Sequence, residues 1–322
     1  MSKTRWGVIG LGKIAGKFCT GLKAVKDAEL YAVASRSLSK AENFAKEHGA
    51  KVAYGSYEEM LKDSDVDVVY IATPHVFHHE NTLLSLSYKK AVLCEKPFAM
   101  NKSQVEEMIA VAKKEKVFLM EAMWTQFLPH FEALIEIVKS EKYGKIKSVK
   151  ADFGFEAEFD ESGRLFNKTL GGGSLLDIGI YPVFMALSLL GEPQKLSAKA
   201  SIGKTEVDEE CDIIFEYPNK VTAQLHSTVI NNTPTTAEIE FEKARIIVNT
   251  RFHEPSSLTI ISSEGEITRE FGVQTNGYNF EAAHVQKMLR QGRTESDKMT
   301  FAKSLQLIDL LDKVREEIQL EY

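Results

Sequence analysis

The sequence predicts an α/β protein with a parallel sheet in its N-terminal third and a large, mostly antiparallel open sheet after it. Up to about residue 121, short apolar runs typical of buried strands alternate with amphipathic runs typical of helices. Such alternation implies right-handed crossovers and a parallel sheet covered on both faces. Over residues 146–271 apolar and polar residues instead alternate with period two between turn dipeptides, which is typical of antiparallel strands. The change near Trp124 predicts two domains, residues 1–123 and residues 124–322, the second of α+β class.

Individual elements follow from the same patterns. Five strands are predicted in the first domain: Trp6–Gly10, Ala28–Ser35, Val68–Ala72, Ala91–Cys94 and Phe118–Glu121. The helices predicted between them are Lys13–Val25, Leu38–His48, Tyr57–Leu61, His79–Ser87 and Lys102–Lys116. In the second domain the clearest strands are Ser148–Phe159, Cys211–Tyr217 and Val221–Ile230. A glycine-marked helical segment, Gly171–Leu190, interrupts these strands, and a long helix, Met299–Ile318, follows them.

Composition and charge restrict the class of protein. The 322 residues are 43% hydrophobic and 27% charged, as in ordinary globular proteins. A net charge of −6 gives no reason to expect a nucleic acid or a membrane surface as a partner. The three cysteines lie far apart without a CxxC pair, and the first apolar run, broken by glycines, is a poor signal peptide. We therefore expect a cytoplasmic protein.

The first predicted strand leads directly into a glycine-rich turn. Gly10, Leu11, Gly12, Lys13, Ile14 and Ala15 form the pattern GxGxxA between a strand and a helix. In a dinucleotide site the first glycine permits the tight turn, and the second lets the backbone approach a pyrophosphate. The small third residue allows helix and strand to pack closely. The first domain is therefore predicted to be a Rossmann dinucleotide-binding domain.

The end of the second strand distinguishes between the two nicotinamide cofactors. An acidic residue at this point ordinarily binds a free ribose 2′-hydroxyl, but this chain has Ser35, Arg36 and Ser37 there. A guanidinium binds a 2′-phosphate at two points, and two hydroxyls add hydrogen bonds. We therefore predict NADP(H) as the preferred cofactor, with NAD(H) possible. The alternative is that Arg36 is a solvated surface charge.

The predicted strand Val68–Ala72 leads into Thr73 and Pro74, and three histidines follow within five residues. The carboxyl edge of a parallel sheet is where such folds bind their ligands, so this loop and His78 are candidate cofactor contacts. Histidines at this density suggest a metal site. No cysteine or carboxylate cluster accompanies them at ligand spacing, and we expect no metal.

A lysine, Lys96, lies at the end of the predicted strand Ala91–Cys94, in the stretch VLCEKPF. Lysine is seldom buried unless it is paired or functional, and the proline after it restricts its backbone. Adjacent strand residues point to opposite faces, so Glu95 is a poor partner for Lys96. In the second domain Asp177 and Tyr181 lie four residues apart, on one face of a predicted helix. The structural alternative is that Asp177 caps this helix and Tyr181 packs in the core.

Several of these motifs occur together in one known family. The segments EKP (Glu95–Pro97), ATP (Ala72–Pro74), GGGSLLDIGIY (Gly171–Tyr181), MEAMWTQFLP (Met120–Pro129) and GRTES (Gly292–Ser296) resemble the Gfo/Idh/MocA oxidoreductases. Within that family the chain looks most like the dimeric dihydrodiol dehydrogenase and glucose–fructose oxidoreductase branch. The family often has arginine where this chain has Gln126, and asparagine where it has His75. The departure at Gln126 puts any charge-based contact at that position in doubt, and the departure at His75 is milder.

The resemblance implies catalytic roles for Lys96, Asp177 and Tyr181, with Glu95 beside the cofactor. It also implies a second domain that binds substrate and commonly forms homodimers through its open sheet. A tyrosine has an ordinary pKa of about 10, so a nearby ammonium is needed before it can act as a base at neutral pH. Tyr181 is then the expected proton carrier and Asp177 an orienting group; the alternative is that Lys96 itself carries the proton.

The substrate is predicted only as a class. Trp124, Phe127 and Phe155 are candidates for an apolar pocket wall, and Arg164 for a polar contact; core packing is the alternative for the aromatic residues. A cyclic diol or a dicarbonyl suits aromatic walls, whereas a sugar suits Arg164 and Asp177. Two further functions remain open: a non-catalytic NADP-binding sensor, and a glycosidase or sugar oxidoreductase that retains and recycles its cofactor.

Overall fold

In the computed structural model, which describes residues 3–322, a six-stranded parallel sheet forms the core of the N-terminal region. Its strands are β1 (Thr4–Ile9), β2 (Ala28–Ala34), β3 (Val52–Tyr54), β4 (Val68–Ile71), β5 (Ala91–Glu95) and β6 (Leu119–Ala122). They lie in the order β3-β2-β1-β4-β5-β6. Strands β4 and β5 are buried throughout and β1 is buried from Trp6 onward, as expected for a sheet covered on both faces.

Five helices connect these strands: α1 (Lys13–Leu22), α2 (Leu38–His48), α3 (Tyr57–Lys62), α4 (His78–Ser87) and α5 (Lys102–Glu115). The starts of α2, α3 and α5 are encoded locally. The side chains of Ser37, Ser56 and Asn101 each accept a hydrogen bond from the backbone N–H three residues later. Such N-caps satisfy donors that have no partner within the helix.

The chain leaves β1 on one side for β2 and returns on the other side for β4. The strand order therefore reverses at β1. In open α/β sheets, a crevice for ligands forms at the carboxyl ends of the strands at such a reversal. The loops after β1, β4 and β5 all lie at this edge because the strands are parallel.

The second sheet has eight strands: β7 (Ile146–Gly154), β8 (Lys195–Ile202), β9 (Asp208–Glu216), β10 (Thr222–Thr228), β11 (Ala237–Phe241), β12 (Ala244–Val248), β13 (Leu258–Ser262) and β14 (Gly265–Arg269). Their order is β14-β13-β12-β11-β7-β10-β9-β8, and every pair is antiparallel except β7 with β10. Helix α6 (Pro129–Lys139) packs against α7 (Ile180–Leu190), which covers β7 and β10 on one face. The predicted fold class, a Rossmann domain followed by a mostly antiparallel open sheet, is confirmed.

One stretch, Lys168–Leu190, is long and apolar enough to cross a membrane by length and composition. Of its most apolar window, 89% is buried inside the fold. It contains α7, whose residues from Ile180 to Leu187 are all buried. This is the composition of the central helix of a folded core.

The described chain divides into two compact units. The first runs to Phe127 and includes Val273–Leu305, and the second comprises Leu128–Gly272 and Gln306–Tyr322. Helix α8 (Tyr278–Arg290) belongs to the first unit, where it packs on α1, and α9 (Phe301–Glu317) begins in the first unit and ends in the second. The predicted division at residues 123 and 124 stays a prediction. The structure adds that residues 273–305 pack with the N-terminal unit, a return of the chain that the sequence pattern did not indicate.

Candidate active site

The glycine-rich turn after β1 closely approaches the end of β4. Gly10 has a φ of +85°, and a Cβ added there would lie 2.4 Å from the Ala72 carbonyl carbon and the Thr73 nitrogen. Only glycine fits this position. A Cβ added at Gly12 would meet no atom within 4 Å, so this side of the turn is open. The free N–H groups at the start of α1 follow directly, and together these features fit a dinucleotide pyrophosphate.

The rest of the predicted turn has the expected division between buried and accessible residues. Ala15 is fully buried and Leu11 nearly so, whereas Lys13 is exposed and Ile14 is half-buried. The buried alanine lets α1 pack closely on the sheet, in agreement with the reason for a small third residue.

The residues after β2 lie at the start of α2. Ser35 Oγ accepts the Ser37 N–H at 3.3 Å, and Ser37 Oγ caps α2 through the Lys40 N–H at 3.4 Å. Arg36 is exposed between them. Burial raises the pKa of the Tyr57 phenol, and the positive charge of Arg36 lowers it. The turn therefore presents one guanidinium with two hydroxyls beside it, as the sequence predicted for a 2′-phosphate site.

His78 joins the loops after β4 and β5. Its ring is fully buried, with Nε2 at 2.8 Å from the Thr73 carbonyl oxygen and Nδ1 at 2.7 Å from the Pro97 carbonyl oxygen. Asn81 Nδ2 donates to Thr73 Oγ1 at 3.3 Å. These contacts hold Thr73 and Pro97 at the same edge of the sheet. His75, also buried, lies 5.7 Å from His78, ring centre to ring centre.

Lys96 is half-buried at the end of β5, before a cis peptide bond to Pro97. The Glu95 side chain is buried, and its carboxylate accepts a hydrogen bond from the Tyr70 hydroxyl and another from the Lys96 backbone N–H at 3.2 Å. The phenol of Tyr70 thus holds the Glu95 carboxylate within the sheet.

Two further buried carboxyl groups lie in the same unit. Burial raises the pKa of Glu121 to about 7, although hydrogen bonds from Ser304 and the Phe98 N–H lower it. Burial, together with the negative charge of Glu95, raises the pKa of Glu281 well above its ordinary value. Within residues 3–322 neither carboxyl oxygen of Glu281 has a hydrogen-bond partner. Burial without a hydrogen-bond partner therefore favours the protonated form of the Glu281 carboxyl group.

In the second unit Arg164 and Asp177 form an ion pair at two points. Arg164 Nη1 lies 2.8 Å from Asp177 Oδ1, and Nη2 lies 3.0 Å from Oδ2. The Asp177 side chain is 10% exposed and that of Arg164 is 41% exposed. The sequence predicted Arg164 as a substrate contact and Asp177 as a catalytic group. The structure brings them together and leaves the Arg164 side chain partly accessible to solvent.

Tyr181 lies in the first turn of α7 and is 6% exposed. Its ring centre is 5.8 Å from that of Phe153 and 4.9 Å from that of His253. His253 is itself stacked on Phe153 at 4.0 Å. Sequence patterns did not indicate His253, because it lies in an irregular segment between β12 and β13. Phe155 is half-buried, 6.3 Å from Phe153.

The two other predicted wall residues are packed within the first unit. Trp124 is 5% exposed and stacked on Tyr278 at 4.3 Å, and Phe127 is 3% exposed with its ring 4.7 Å from that of His284. Their contact with a substrate stays a prediction. Between them Gln126 accepts a hydrogen bond from Lys303 Nζ at 2.6 Å. A cation from α9 therefore reaches the position at which the resemblance led us to expect an arginine.

In the part of the chain that the structure describes, no group of three or more histidine, cysteine or acidic side chains is placed to hold a metal ion. All three cysteines are unpaired and buried.

Known proteins match this sequence along nearly the whole chain. Residues 4–123 match the GFO_IDH_MocA oxidoreductase family with its NAD-binding Rossmann fold, and residues 131–247 match the GFO/IDH/MocA C-terminal domain. Trans-1,2-dihydrobenzene-1,2-diol dehydrogenase of Xenopus tropicalis is 37% identical over 329 residues, covering 99% of each chain.

Solved structures agree with these matches. A 3-ketoreductase from Actinomadura kijaniata, in complex with NADP and TDP-benzene, superposes with a TM-score of 0.89 at 26% identity over 98% of each chain. Aldose-aldose oxidoreductase from Caulobacter crescentus, complexed with glycerol, superposes with a TM-score of 0.90 at 25% identity over 98% of each chain.

Proposed function

The chain belongs to the GFO/IDH/MocA oxidoreductase family, and on this premise we propose that it is an NADP(H)-dependent dehydrogenase or reductase of CH–OH groups. The substrate class is a sugar, a cyclic diol or the corresponding carbonyl compound. The observation that carries this proposal is the 37% identity to a dihydrodiol dehydrogenase over 99% of both chains. The aldose and ketoreductase structures support the same class of hydroxyl or carbonyl substrate.

The first unit has the features that a nicotinamide dinucleotide needs. Gly10 and Gly12 let the backbone approach a pyrophosphate, and the start of α1 offers free N–H groups to it. Arg36, exposed beside Ser35 and Ser37, supports the preference for NADP(H). When bound, the nicotinamide supplies hydride transfer.

The chain's own residues then supply the proton transfer. Oxidation of a CH–OH group requires a base for the hydroxyl proton, and reduction requires the corresponding acid. We assign this role to Tyr181 and keep Lys96 as the alternative proton carrier. Arg164 fixes Asp177 through two hydrogen bonds, so Asp177 is an oriented carboxylate that can accept from a substrate hydroxyl.

A kinetic survey tests this function. Purified protein is assayed with NADP and with NAD against trans-dihydrodiols, aldoses, inositols and small dicarbonyls, by nicotinamide absorbance. We expect turnover of one class, with NADP preferred. Lys96→Ala should lower kcat at least about 100-fold, since general acid–base groups typically contribute 10²–10⁴. Lys89→Ala, an exposed lysine paired with Glu115, is the matched control. Tight NADPH binding without turnover of any class would favour a sensor or a recycling enzyme instead.

We also propose that the chain forms a homodimer in the cytoplasm. The uncovered face of the second sheet supports the dimer, because it exposes Lys150, Asp212, Ile214 and Gln224 around a groove of about 520 Å³. Three unpaired, buried cysteines support a reducing compartment.

A further inference from the structure

The turn that precedes Asp177 and Tyr181 is packed too tightly for side chains. Gly173 has a φ of +110°, and a Cβ added there would lie 2.1 Å from Asp208 Oδ1. A Cβ added at Gly172 would lie 2.7 Å from the Leu165 carbonyl oxygen and 2.8 Å from that of Arg164. The Gly173 N–H also donates to the Leu165 carbonyl at 2.8 Å. The glycines therefore bring the loop that carries Arg164 onto the start of the helical segment that carries Asp177.

A carboxylate from β9 fixes this turn. Asp208 is 0% exposed, and its Oδ2 accepts the Ser174 hydroxyl at 2.8 Å and the Leu175 N–H at 2.6 Å. The N–H groups in the first turn of a helix have no partner within the helix and lie at its positive end, where a negative charge is stabilising. Asp208 thus serves as a capping group for the segment that begins at Leu175, although it lies 33 residues away in sequence.

The side chain of Tyr322 completes the contact. Its hydroxyl donates to the Gly172 carbonyl oxygen and lies 3.5 Å from Asp208 Oδ1. The Arg315 guanidinium lies 5.6 Å from the centre of the Tyr322 ring. Burial raises the pKa of Asp208 to about 6, while the hydrogen bonds from Ser174 and the Leu175 N–H lower it, so Asp208 is a carboxylate above that pH.

The far end of the same turn is also held. Residues Leu175–Gly179 form a π-helical turn before α7. A Cβ added at Gly179 would lie 2.8 Å from Ser227 Oγ, and Ser227 Oγ is 2.9 Å from Ser174 Oγ. A π-helical turn often marks a functional position, because it displaces the side chains it carries from regular α-helical spacing. Asp177 lies in the middle of this turn.

We infer that Asp208, assisted by Tyr322, is a positioning residue for the reaction: its carboxylate fixes the turn that sets the places of Asp177, Arg164 and Tyr181. This inference rests on the proposed function. Asp208 does not touch the reacting atoms in this scheme. It acts by holding the glycine turn, and small displacements of catalytic groups are costly, since about 1 Å can lower a rate 10²-fold.

The test is steady-state kinetics of Asp208→Asn, which keeps the size of the side chain and removes its charge. We expect kcat to fall about 10- to 100-fold while the KM for NADP changes less than about twofold. Tyr322→Phe, which removes one hydrogen bond, should lower kcat several-fold. Glu216→Gln is the matched control, because Glu216 is an exposed carboxylate on the same strand, and it should leave kcat unchanged.

Thermal unfolding of each variant separates positioning from stability. A folded Asp208→Asn with unchanged kcat would overturn the inference. If Asp208→Asn does not fold, Ser174→Ala and Tyr322→Phe are used instead. A lower thermal unfolding midpoint with unchanged kcat in these variants overturns the inference. A lower kcat in fully folded protein supports it. Tyr181→Phe is assayed in parallel. Normal turnover by Tyr181→Phe refutes the proposed catalytic assignment, whereas loss in Tyr181→Phe with normal turnover by Asp208→Asn refutes only the positioning role.

Discussion

Arg164 and Asp177 are joined by two parallel hydrogen bonds of 2.8 and 3.0 Å between guanidinium and carboxylate. The carboxylate of Asp177 is buried, whereas the side chain of Arg164 is 41% exposed. Two-point geometry of this kind fixes the plane of the carboxylate as well as its position. Asp177 is therefore held in one orientation before any substrate arrives, and Arg164 is the residue that holds it.

We predict that Arg164→Lys lowers kcat/KM about tenfold, because an ammonium is a point charge and cannot hold both carboxylate oxygens in one plane. Asp177→Ala should lower kcat/KM further. The double variant Arg164→Ala/Asp177→Ala should be little worse than Asp177→Ala alone, because residues in one ion pair are not additive. Lys168→Ala is the control, because Lys168 lies on the same loop as Arg164 and pairs with Glu206 instead. If the losses from Arg164→Ala and Asp177→Ala add fully in the double variant, Arg164 does not act by orienting Asp177.

The choice of cofactor depends on Arg36. Arg36→Ala should lower kcat/KM with NADP about 100-fold, a loss of roughly 3 kcal/mol that corresponds to a charge-assisted hydrogen-bonded pair. The same variant should change kcat/KM with NAD by less than about threefold. Lys46→Ala, an exposed cation in the last turn of α2, should affect neither cofactor. Equal losses with both cofactors would show that Arg36 does not recognise the 2′-phosphate.

Glu121 makes the stability of the first unit depend on pH. Burial raises its pKa from an ordinary value of 4.5 to about 7, so the folded state binds a proton that the unfolded state releases. The contribution of this group to the free energy of unfolding therefore falls as pH rises from about 4.5 to about 7, by roughly 3 kcal/mol. Glu121→Gln should raise the unfolding midpoint relative to wild type at pH 8 and leave it nearly unchanged at pH 4.5.

The difference between the two proteins at each pH is the informative quantity, because other buried groups titrate in the same range. Burial lowers the pKa of His130 and of His284 to about 4, which gives an opposite slope between about pH 4 and pH 6.5. Those histidines are present in both proteins, so their effect cancels. A Glu121→Gln midpoint that moves in parallel with wild type across the whole range would rule out the titration of Glu121.

Much of the fold could be predicted because β1, β4 and β5 contain short apolar runs that alternate with helical runs, of which α2, α3 and α5 begin at a capping side chain. The elements that the sequence did not reveal have physical reasons. Strand β3 has only three residues, all half-buried, which is too short for a periodic pattern. Helix α8 buries Glu281, His284 and Gln286, so polar residues interrupt the apolar stripe from which a helix is recognised.

The candidate site residues divide in the same way into those that the sequence could predict and those that it could not. Glycine turns, Lys96 and the Asp177–Tyr181 spacing are local patterns and could be found in the sequence. The role of Asp208 could not, because it begins a run of three acidic residues in which only the three-dimensional fold distinguishes a buried carboxylate from half-buried neighbours. His253 and the contact between Arg164 and Asp177 likewise depend on loops whose paths no periodicity fixes.

The uncovered face of the second sheet gives the last prediction, that two copies of the chain pair through it. Seven inter-strand spacings of about 4.8 Å make this sheet roughly 34 Å wide, and strands of about six residues at roughly 3.3 Å each are about 20 Å long. Its face therefore covers on the order of 700 Å² per copy. That is close to the roughly 800 Å² per partner of a stable interface. The face carries both signs of charge, with Lys150 and Asp212 exposed on it and Arg245 Nη1 3.6 Å from Glu238 Oε1. It can therefore complement itself about a two-fold axis.

Ile214 lies on this face with 44% of its surface exposed, so Ile214→Lys should prevent pairing. In a two-fold interface one substitution acts twice, placing two unpaired ammonium groups in the contact. The mass measured by light scattering during gel filtration should fall from two chains to one. Leu38→Lys, an equally exposed apolar residue at 48% on α2, should leave the mass unchanged. A folded Ile214→Lys protein that keeps the wild-type dimer mass would exclude this face, and a wild-type monomer at high concentration would exclude the dimer.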